Sequence, residues 1–220
     1  MGGPLELVIF DADGVLFEST ESNIAYYNAI FKVLGEPPLT PGEEYDCIFM
    51  AASQVFAMRA NGDATRVARM QQIGLELEFT PFFELLRPPI PLRPFLLELK
   101  RRYRLGLATN RSATIPAVLG HLGIEDLFHA IASARDKVAP KPAPDMLTLC
   151  LQRAGVQPGA AVYVGDSAFD YQAAVAAGIA FIGLGTQVEC GNLIERLSDL
   201  PAALERLFDF STTPASKIRS

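Results

Sequence analysis

Residues 7–17 read LVIFDADGVLF, an apolar run that ends in Asp11 and Asp13 and then Gly14. Two carboxylates that close together repel by roughly 4 kcal/mol at an effective dielectric near 20. The pair therefore either faces water on an ordinary Asp-Gly turn or awaits a cation. A calcium loop of the EF-hand kind is excluded, because it needs a third ligand before its glycine and a Glu at its twelfth position, where this chain has Ser22. Other chemistry-bearing residues stand in similar settings: Thr109 and Asn110 close RLGLATN, Lys141 lies in APKPAPD, and Asp166 and Asp170 lie in VGDSAFD. Carboxylates, a hydroxyl and an ammonium together suit phosphoryl transfer, which depends on positioning and charge neutralisation. Carboxylates can hold Mg²⁺ alongside phosphate oxygens, the hydroxyl and ammonium can hold the remaining oxygens, and one carboxylate can attack phosphorus.

The elements that must position these residues are legible as five apolar runs: Leu5 to Phe10, 104–110, 129–134 (HAIASA), 160–166 (AAVYVGD) and 179–184 (IAFIGL). Continuous apolar runs suit strands buried on both faces of a parallel sheet. Amphipathic stretches lie between them, at Leu92–Tyr103, Ser112–Leu122, Pro144–Ala154 and Phe169–Ala177, and Gly123, Gly155 and Gly178 follow three of them as helix-closing glycines. The alternation predicts a doubly wound, Rossmann-like α/β parallel sheet. In such a sheet ligands bind beyond the carboxyl ends of the strands, which is where the residues above fall. From Glu18 to about Pro89 no strand pattern is visible, only helical ones such as ESNIAYYNAIFKVLG and DATRVARMQQIG. The expected division is a core of residues 1–17 and 90–220 with an all-helical insert over 18–89.

The chain has 220 residues, half of them apolar, and a net charge of −6. That balance argues against a general nucleic-acid binder, which would show a basic face. No run reaches the length of a membrane span, and the first residues lack a signal-like segment, so a cytoplasmic protein, monomeric or weakly dimeric, is expected. Cys47, Cys150 and Cys190 are odd in number and widely spaced, which suits reduced thiols. His121 and His129 have no neighbouring ligand types and read as structural.

The four groups DADGVL, LATN, the lysine of KPAPD and GDSAFD, in that order, resemble the motifs of the haloacid dehalogenase superfamily, in the branch of phosphoglycolate phosphatase and β-phosphoglucomutase, which carries a helical cap after the first strand. The resemblance covers about 1–17 and 90–210. It implies a Mg²⁺-dependent phosphomonoester hydrolase acting on a small phosphorylated metabolite through an aspartyl-phosphate. Asp11 would be the nucleophile and Asp13 the general acid/base, its backbone carbonyl also on Mg²⁺. Thr109 and Asn110 would bind phosphate, and Lys141 would neutralise nucleophile and phosphoryl group. Asp166 would bind the metal, with Asp170 supporting it directly or through water and Ser167 orienting the loop. Lys137 competes with Lys141 for its role, Asp170 also suits a helix cap, and Thr109 could be an ordinary strand-end threonine.

Within that family the mutases carry a histidine ten residues beyond the second aspartate, where this chain has Asn23, so a sugar-phosphate mutase is the alternative and a hydrolase the first reading. A non-catalytic phosphate-binding module is the alternative from another class. The family's Pro-Gly turn before the second strand is replaced here by RPPIPLRPFLLELK, and the insert segment YDCIFMAASQ offers no cation. The inner face of the insert is expected to use some of Tyr45, Phe49, Met50 and Gln54, with Arg59, Arg66 and Arg69 on an exposed helix face and weak discrimination among small phosphomonoesters.

Overall fold

Leu7 and Ile9 turn to one face of the first strand and Val8 and Phe10 to the other, and all four are fully buried, as the two-residue period of a strand requires. The computed structural model describes residues 4–50, 52–111, 114–186 and 188–208, apart from the side chains of Ile48 and Phe49. In it this strand, β1 (Leu7–Phe10), lies at the centre of a parallel sheet with β2 (Arg104–Thr109), β3 (Ala130–Ser133), β4 (Ala161–Gly165), β5 (Ala180–Leu184) and β6 (Leu193–Ile194). The order is β3-β2-β1-β4-β5-β6, and β1 pairs in register with β2 from Leu7↔Arg104 and with β4 from Leu7↔Ala161. The chain thus winds outward from β1 to β3, then returns to the other side of β1 at β4. This reversal is the switch point at which a doubly wound sheet opens a crevice.

The two faces bury different partners. Val8, Phe10, Leu105, Leu107, Val162 and Val164 pack with α6 (Leu92–Lys100), α7 (Ile115–His121) and α10 (Leu200–Phe208). Leu7, Ile9, Ala161 and Tyr163 pack with α8 (Asp145–Ala154) and α9 (Ala168–Ala177). The helices stop where expected, with Gly155 and Gly178 in left-handed conformation and Gly123 at φ 65° just past α7. Two expectations need correction. A sixth strand, β6, was not foreseen, because two residues carry no readable period. The helix expected over Leu92–Tyr103 ends at Lys100, with Arg101 as its cap. Ser112, the expected start of the next helix, lies outside the described residues, and α7 begins at Ile115.

Between β1 and α6 the chain forms α1 (Thr20–Val33), α2 (Pro41–Phe49), α3 (Ala52–Arg59), α4 (Ala64–Glu76) and α5 (Thr80–Phe83). The start of α2 is set by its sequence: Pro41 takes the first position, and Thr40 and Glu43 cap each other reciprocally. α1 to α4 enclose a hydrophobic cluster of their own that includes Tyr27, Ile30, Phe31, Val55, Phe56, Met70 and Ile73, whereas Phe83 and Leu86 join the sheet-side cluster. The insert leaves and returns through one pair, Glu18 and Arg87, whose backbones exchange two hydrogen bonds of 3.0 Å. Cys47, Cys150 and Cys190 are free thiols, and no helix of the described residues is long and apolar enough to cross a membrane.

Because the insert has a separate core, Met70→Ala should loosen it selectively. A buried Met→Ala change costs about 2–5 kcal/mol. Native-state hydrogen exchange should then show lost protection in α1 and α4 with β1, β2 and β4 unchanged. Equal loss in the sheet would show that the two clusters open as one unit.

Candidate active site

Asp11 follows β1 directly, and its N–H continues the ladder to the Val164 carbonyl at 2.9 Å. Its carboxylate is buried. Lys141 brings its Nζ to 2.7 Å from both Asp11 Oδ1 and Asp170 Oδ1, and it donates to the Tyr163 hydroxyl at 3.0 Å. The contact to Asp11 is an ion pair by distance but lacks hydrogen-bond direction, and Asp11 Oδ1 accepts no hydrogen bond. Burial drives the Asp11 pKa well up against the pull of Lys141, with Asp170 and Asp166 adding to the rise. Burial works against the Lys141 ammonium, yet Asp11 and Asp170 outweigh it and raise its pKa above the ordinary value. The competing Lys137 is exposed on a left-handed turn and has no place in this group.

Asp170 is fully buried. Its Oδ1 accepts from Lys141 at 2.7 Å and from the Tyr163 hydroxyl at 2.8 Å, and its Oδ2 accepts from the Ser167 N–H at 3.1 Å and hydroxyl at 2.5 Å. Those four bonds match the acceptor capacity of a carboxylate. Ser167 and Asp170 also form the capping box of α9, so capping and site support are one arrangement. Burial raises the Asp170 pKa, but Lys141 and the other donors bring it below the usual range. Tyr163, read from sequence as core, completes the set by accepting from Lys141 and donating to Asp170.

Asn110 spends its side chain on the neighbouring loop: Oδ1 accepts from the Lys141 N–H at 2.9 Å and Nδ2 donates to the Lys141 carbonyl at 3.3 Å. Any contact of Asn110 with an anion would fall to its backbone. Buried Thr109 accepts from the Arg111 N–H at 3.1 Å, which leaves its hydroxyl proton to donate.

Arg111 is the residue that sequence reasoning missed. It grips Asp13 with two bonds, Nη2 to Oδ1 at 2.6 Å and Nε to Oδ2 at 3.1 Å. The same Nη2 reaches Asn23 Oδ1 on α1 at 2.9 Å, and Nη1 reaches Thr114 at 3.3 Å. Ser19 also donates to Asp13 Oδ1. Burial raises the Asp13 pKa, but Arg111 outweighs it and holds the carboxyl below the usual range. The signal was available: an arginine immediately beyond a strand-end Thr-Asn sits at the same sheet edge.

Oxygens of Asp11, Asp166 and Asp170 lie within 4.8 Å of one another. An all-oxygen set suits a hard cation such as Mg²⁺, and Asp11 Oδ1, which faces only the Lys141 ammonium and accepts no directed hydrogen bond, has lone-pair capacity left for one. The residues therefore fit a divalent ion. Asp13 lies outside this set with its carboxylate on Arg111, so any part in metal binding would fall to its backbone carbonyl. The approach of the loops requires glycine at two points. A Cβ on Gly14, at φ +79°, would lie 2.0 Å from Asp166 Oδ2, and one on Gly165 would lie 2.4 Å from Asp170 Cβ. Asp11, Asp13, Thr109, Arg111, Lys141 and Asp166 line one cleft of about 200 Å³ between the sheet edge and the insert, while Asp170 is fully buried behind it.

Of the insert residues expected there, Met50 lines the cleft, and Tyr45 and Gln54 do not; the Phe49 side chain lies outside the described residues. Arg59 corrects a further expectation. It is largely covered, pairing with Glu36 at 3.3 Å and Glu43 at 2.6 Å over the Phe31 ring. Arg66 is exposed as expected and pairs with Glu36 at 2.6 Å, and Arg69 is exposed.

Burial, and then Asp170, push the Asp166 pKa up to about 7. The folded metal-free protein therefore holds a proton on Asp166 that the unfolded chain gives up near its ordinary pKa of about 3.9. The folded state binds more protons between those values, so the contribution is fully present below about pH 4, falls as pH rises and is gone above about pH 7. The full swing is on the order of 4 kcal/mol. Chemical denaturation in EDTA at pH 5 and pH 8 should show this loss, and Asp166→Asn should flatten it. Identical pH slopes in the two proteins would refute the assignment.

A family model described as haloacid dehalogenase-like hydrolase matches residues 8–184. The fructose-1-phosphate phosphatase of Escherichia coli (strain K12) is 40% identical over 92 residues, a match that covers 41% of this chain and 49% of that protein. The phosphoglycolate phosphatase of Pseudomonas putida is 29% identical over 221 aligned positions, covering 94% of this chain and 81% of that protein. Among solved structures, a superfamily hydrolase of subfamily IA, variant 1, from Geobacter sulfurreducens aligns with TM-score 0.73 and 28% identity over 92% of this chain and 98% of that one. With its parallel sheet, its buried acids at the switch point and a family match across most of its length, this chain belongs to the haloacid dehalogenase-like hydrolases.

Proposed function

We propose that the protein is a Mg²⁺-dependent phosphatase that hydrolyses a small phosphorylated metabolite through an aspartyl-phosphate on Asp11. The observation that carries this reading is the meeting of Asp11, Lys141, Thr109 and Asp13 in one cleft at the carboxyl edge of the sheet. The phosphatase names of the two curated relatives support it. Asp11, Asp166 and the Asp13 carbonyl would hold Mg²⁺, and Asp170, its four acceptor positions occupied, would steady Lys141 and the Asp166 loop instead. A bound Mg²⁺ would supply charge neutralisation for a phosphoryl oxygen and for the acids.

In the first half-reaction an Asp11 oxygen bonds to phosphorus as the bond to the ester oxygen breaks, and Asp13 gives the departing alkoxide a proton. Lys141 and the Thr109 hydroxyl meet the equatorial oxygens. In the second half-reaction Asp13 takes a proton from water as that water attacks phosphorus, which frees phosphate and restores Asp11. Arg111 favours ionised Asp13, the form needed by the second half. In the first half the pair must lengthen, and the bond from the same guanidinium to Asn23 joins that movement to the insert. The insert, residues 18–89, would serve as the cap, hinged at the Glu18–Arg87 pair.

Asp11→Asn should abolish turnover of p-nitrophenyl phosphate while circular dichroism and thermal unfolding show an intact fold; wild-type-like rates would remove the nucleophile assignment. Asp13→Asn should lose far more activity on alkyl phosphates than on p-nitrophenyl phosphate, whose leaving group needs no proton. Equal losses would count against the acid role. EDTA should stop turnover and added Mg²⁺ restore it, and activity that survives exhaustive chelation would end the metal reading.

A further inference from the structure

The cleft has two ends of different chemistry. The sheet end carries most of the charges, and the insert contributes, besides the polar Ser22 and Asn23 of α1, an apolar wall of Tyr26, Leu75, Phe79, Phe82 and Met50; Phe169 of α9 also lines the cleft. The aromatic rings support one another. Tyr26 stacks on Phe79 at 6.1 Å between centroids and meets Phe82 edge-on at 5.8 Å. Three of the large apolar side chains left in water line the cleft, with Met50 37%, Phe169 42% and Leu75 65% exposed. An apolar patch that adjoins a polar site is a recognition surface.

The cations in the cleft are already paired. Lys141 sits between Asp11 and Asp170, and Arg111 is held by Asp13, Asn23 and Thr114. Glu18, also in the lining, adds a negative charge. Arg59 and Arg66 are paired with acids of the insert and lie outside the cleft. A carboxylate on the substrate would be stripped of water beside aromatic rings, with no unpaired cation among the described residues of the lining. Space favours a group of modest size, since an apolar cavity of about 150 Å³ accepts benzene and the whole cleft is about 200 Å³.

We infer that the substrate is a phosphomonoester whose alcohol part is uncharged and presents a flat apolar face of about one ring to the Tyr26–Phe79–Phe82 wall. The inference rests on the phosphatase reading and narrows it, away from short acidic phosphates. The test is kcat/KM with Mg²⁺ for benzyl phosphate, ethyl phosphate and phosphoglycolate, the first two leaving as alkoxides of similar basicity. Benzyl phosphate should exceed ethyl phosphate at least tenfold, and phosphoglycolate should be no better than ethyl phosphate. Phe82→Ala and Phe169→Ala should each lower the benzyl-to-ethyl ratio several-fold, a readout that a general loss of folded protein does not move. Calorimetry with benzylphosphonate and ethylphosphonate should give the same order without turnover. A ratio near one, or a tenfold preference for phosphoglycolate, overturns the inference and leaves the phosphatase reading intact. Absence of turnover on all esters, p-nitrophenyl phosphate included, overturns the phosphatase reading, and the phosphonate affinities then decide the wall by themselves.

Discussion

The Lys141 ammonium, buried between Asp11 and Asp170 and touching the Tyr163 hydroxyl, is the interaction around which the site is arranged. Taking these charges out of water costs several kcal/mol per ion, and their attraction compensates only when geometry is good and the remaining polar atoms are satisfied. Each element contributes to that condition. β1 delivers Asp11, β4 delivers Tyr163, α9 delivers Asp170 through its capping box, and Asn110 clamps the backbone of Lys141 from the end of β2. The parallel pairing of β1 with both β2 and β4 brings these ends to one edge. Removing the lysine would leave two buried carboxylates against each other, so the fold and the chemistry share this one residue.

Glycine at two positions allows the loops to close this tightly. Gly14 lets the turn after β1 touch Asp166, and Gly165 lets β4 run directly beneath Asp170. Any Cβ there would collide with a carboxylate or with the side chain that carries it. The apolar strands could form without these glycines, but the acids could not approach closely enough to share a cation.

Much of this was legible in the chain. The strands buried on both faces announce themselves as continuous apolar runs, and their carboxyl ends locate Asp11, Asp13, Thr109, Lys141, Asp166 and Asp170 before any coordinates. What stayed hidden has physical reasons. Two-residue β6 has no period. Tyr163 sits within an apolar run, and only the strand's alternation puts it on the face where Lys141 arrives. Arg111 reads as a loop arginine, because pairing with Asp13, 98 residues away, is a property of the sheet order. In α2, Cys47 lines the cleft while Tyr45 is 64% exposed, since two residues turn a helix by about 200°; an apolar segment alone did not say which face looks inward.

Charge then explains how the parts depend on one another. Four carboxylates, Asp11, Asp13, Asp166 and Asp170, face two cations, Lys141 and Arg111, in the cleft and its floor. With Glu18 also in the lining, the acids outnumber the cations, an excess that suits a bound cation. Burial there drives protons onto Asp11 and Asp166, the two acids without a full set of donors. Asp13 and Asp170, where a cation is joined by further hydrogen-bond donors, are held ionised. The site thus separates its acids by partner: two kept charged by the protein, two left for a metal. Because Arg111 binds Asp13 and Asn23 through the same nitrogen, the charge of Asp13 is tied to the position of α1. On the proposed reading of Asp13 as acid and base, any shift of α1 would alter the contact that holds its charge.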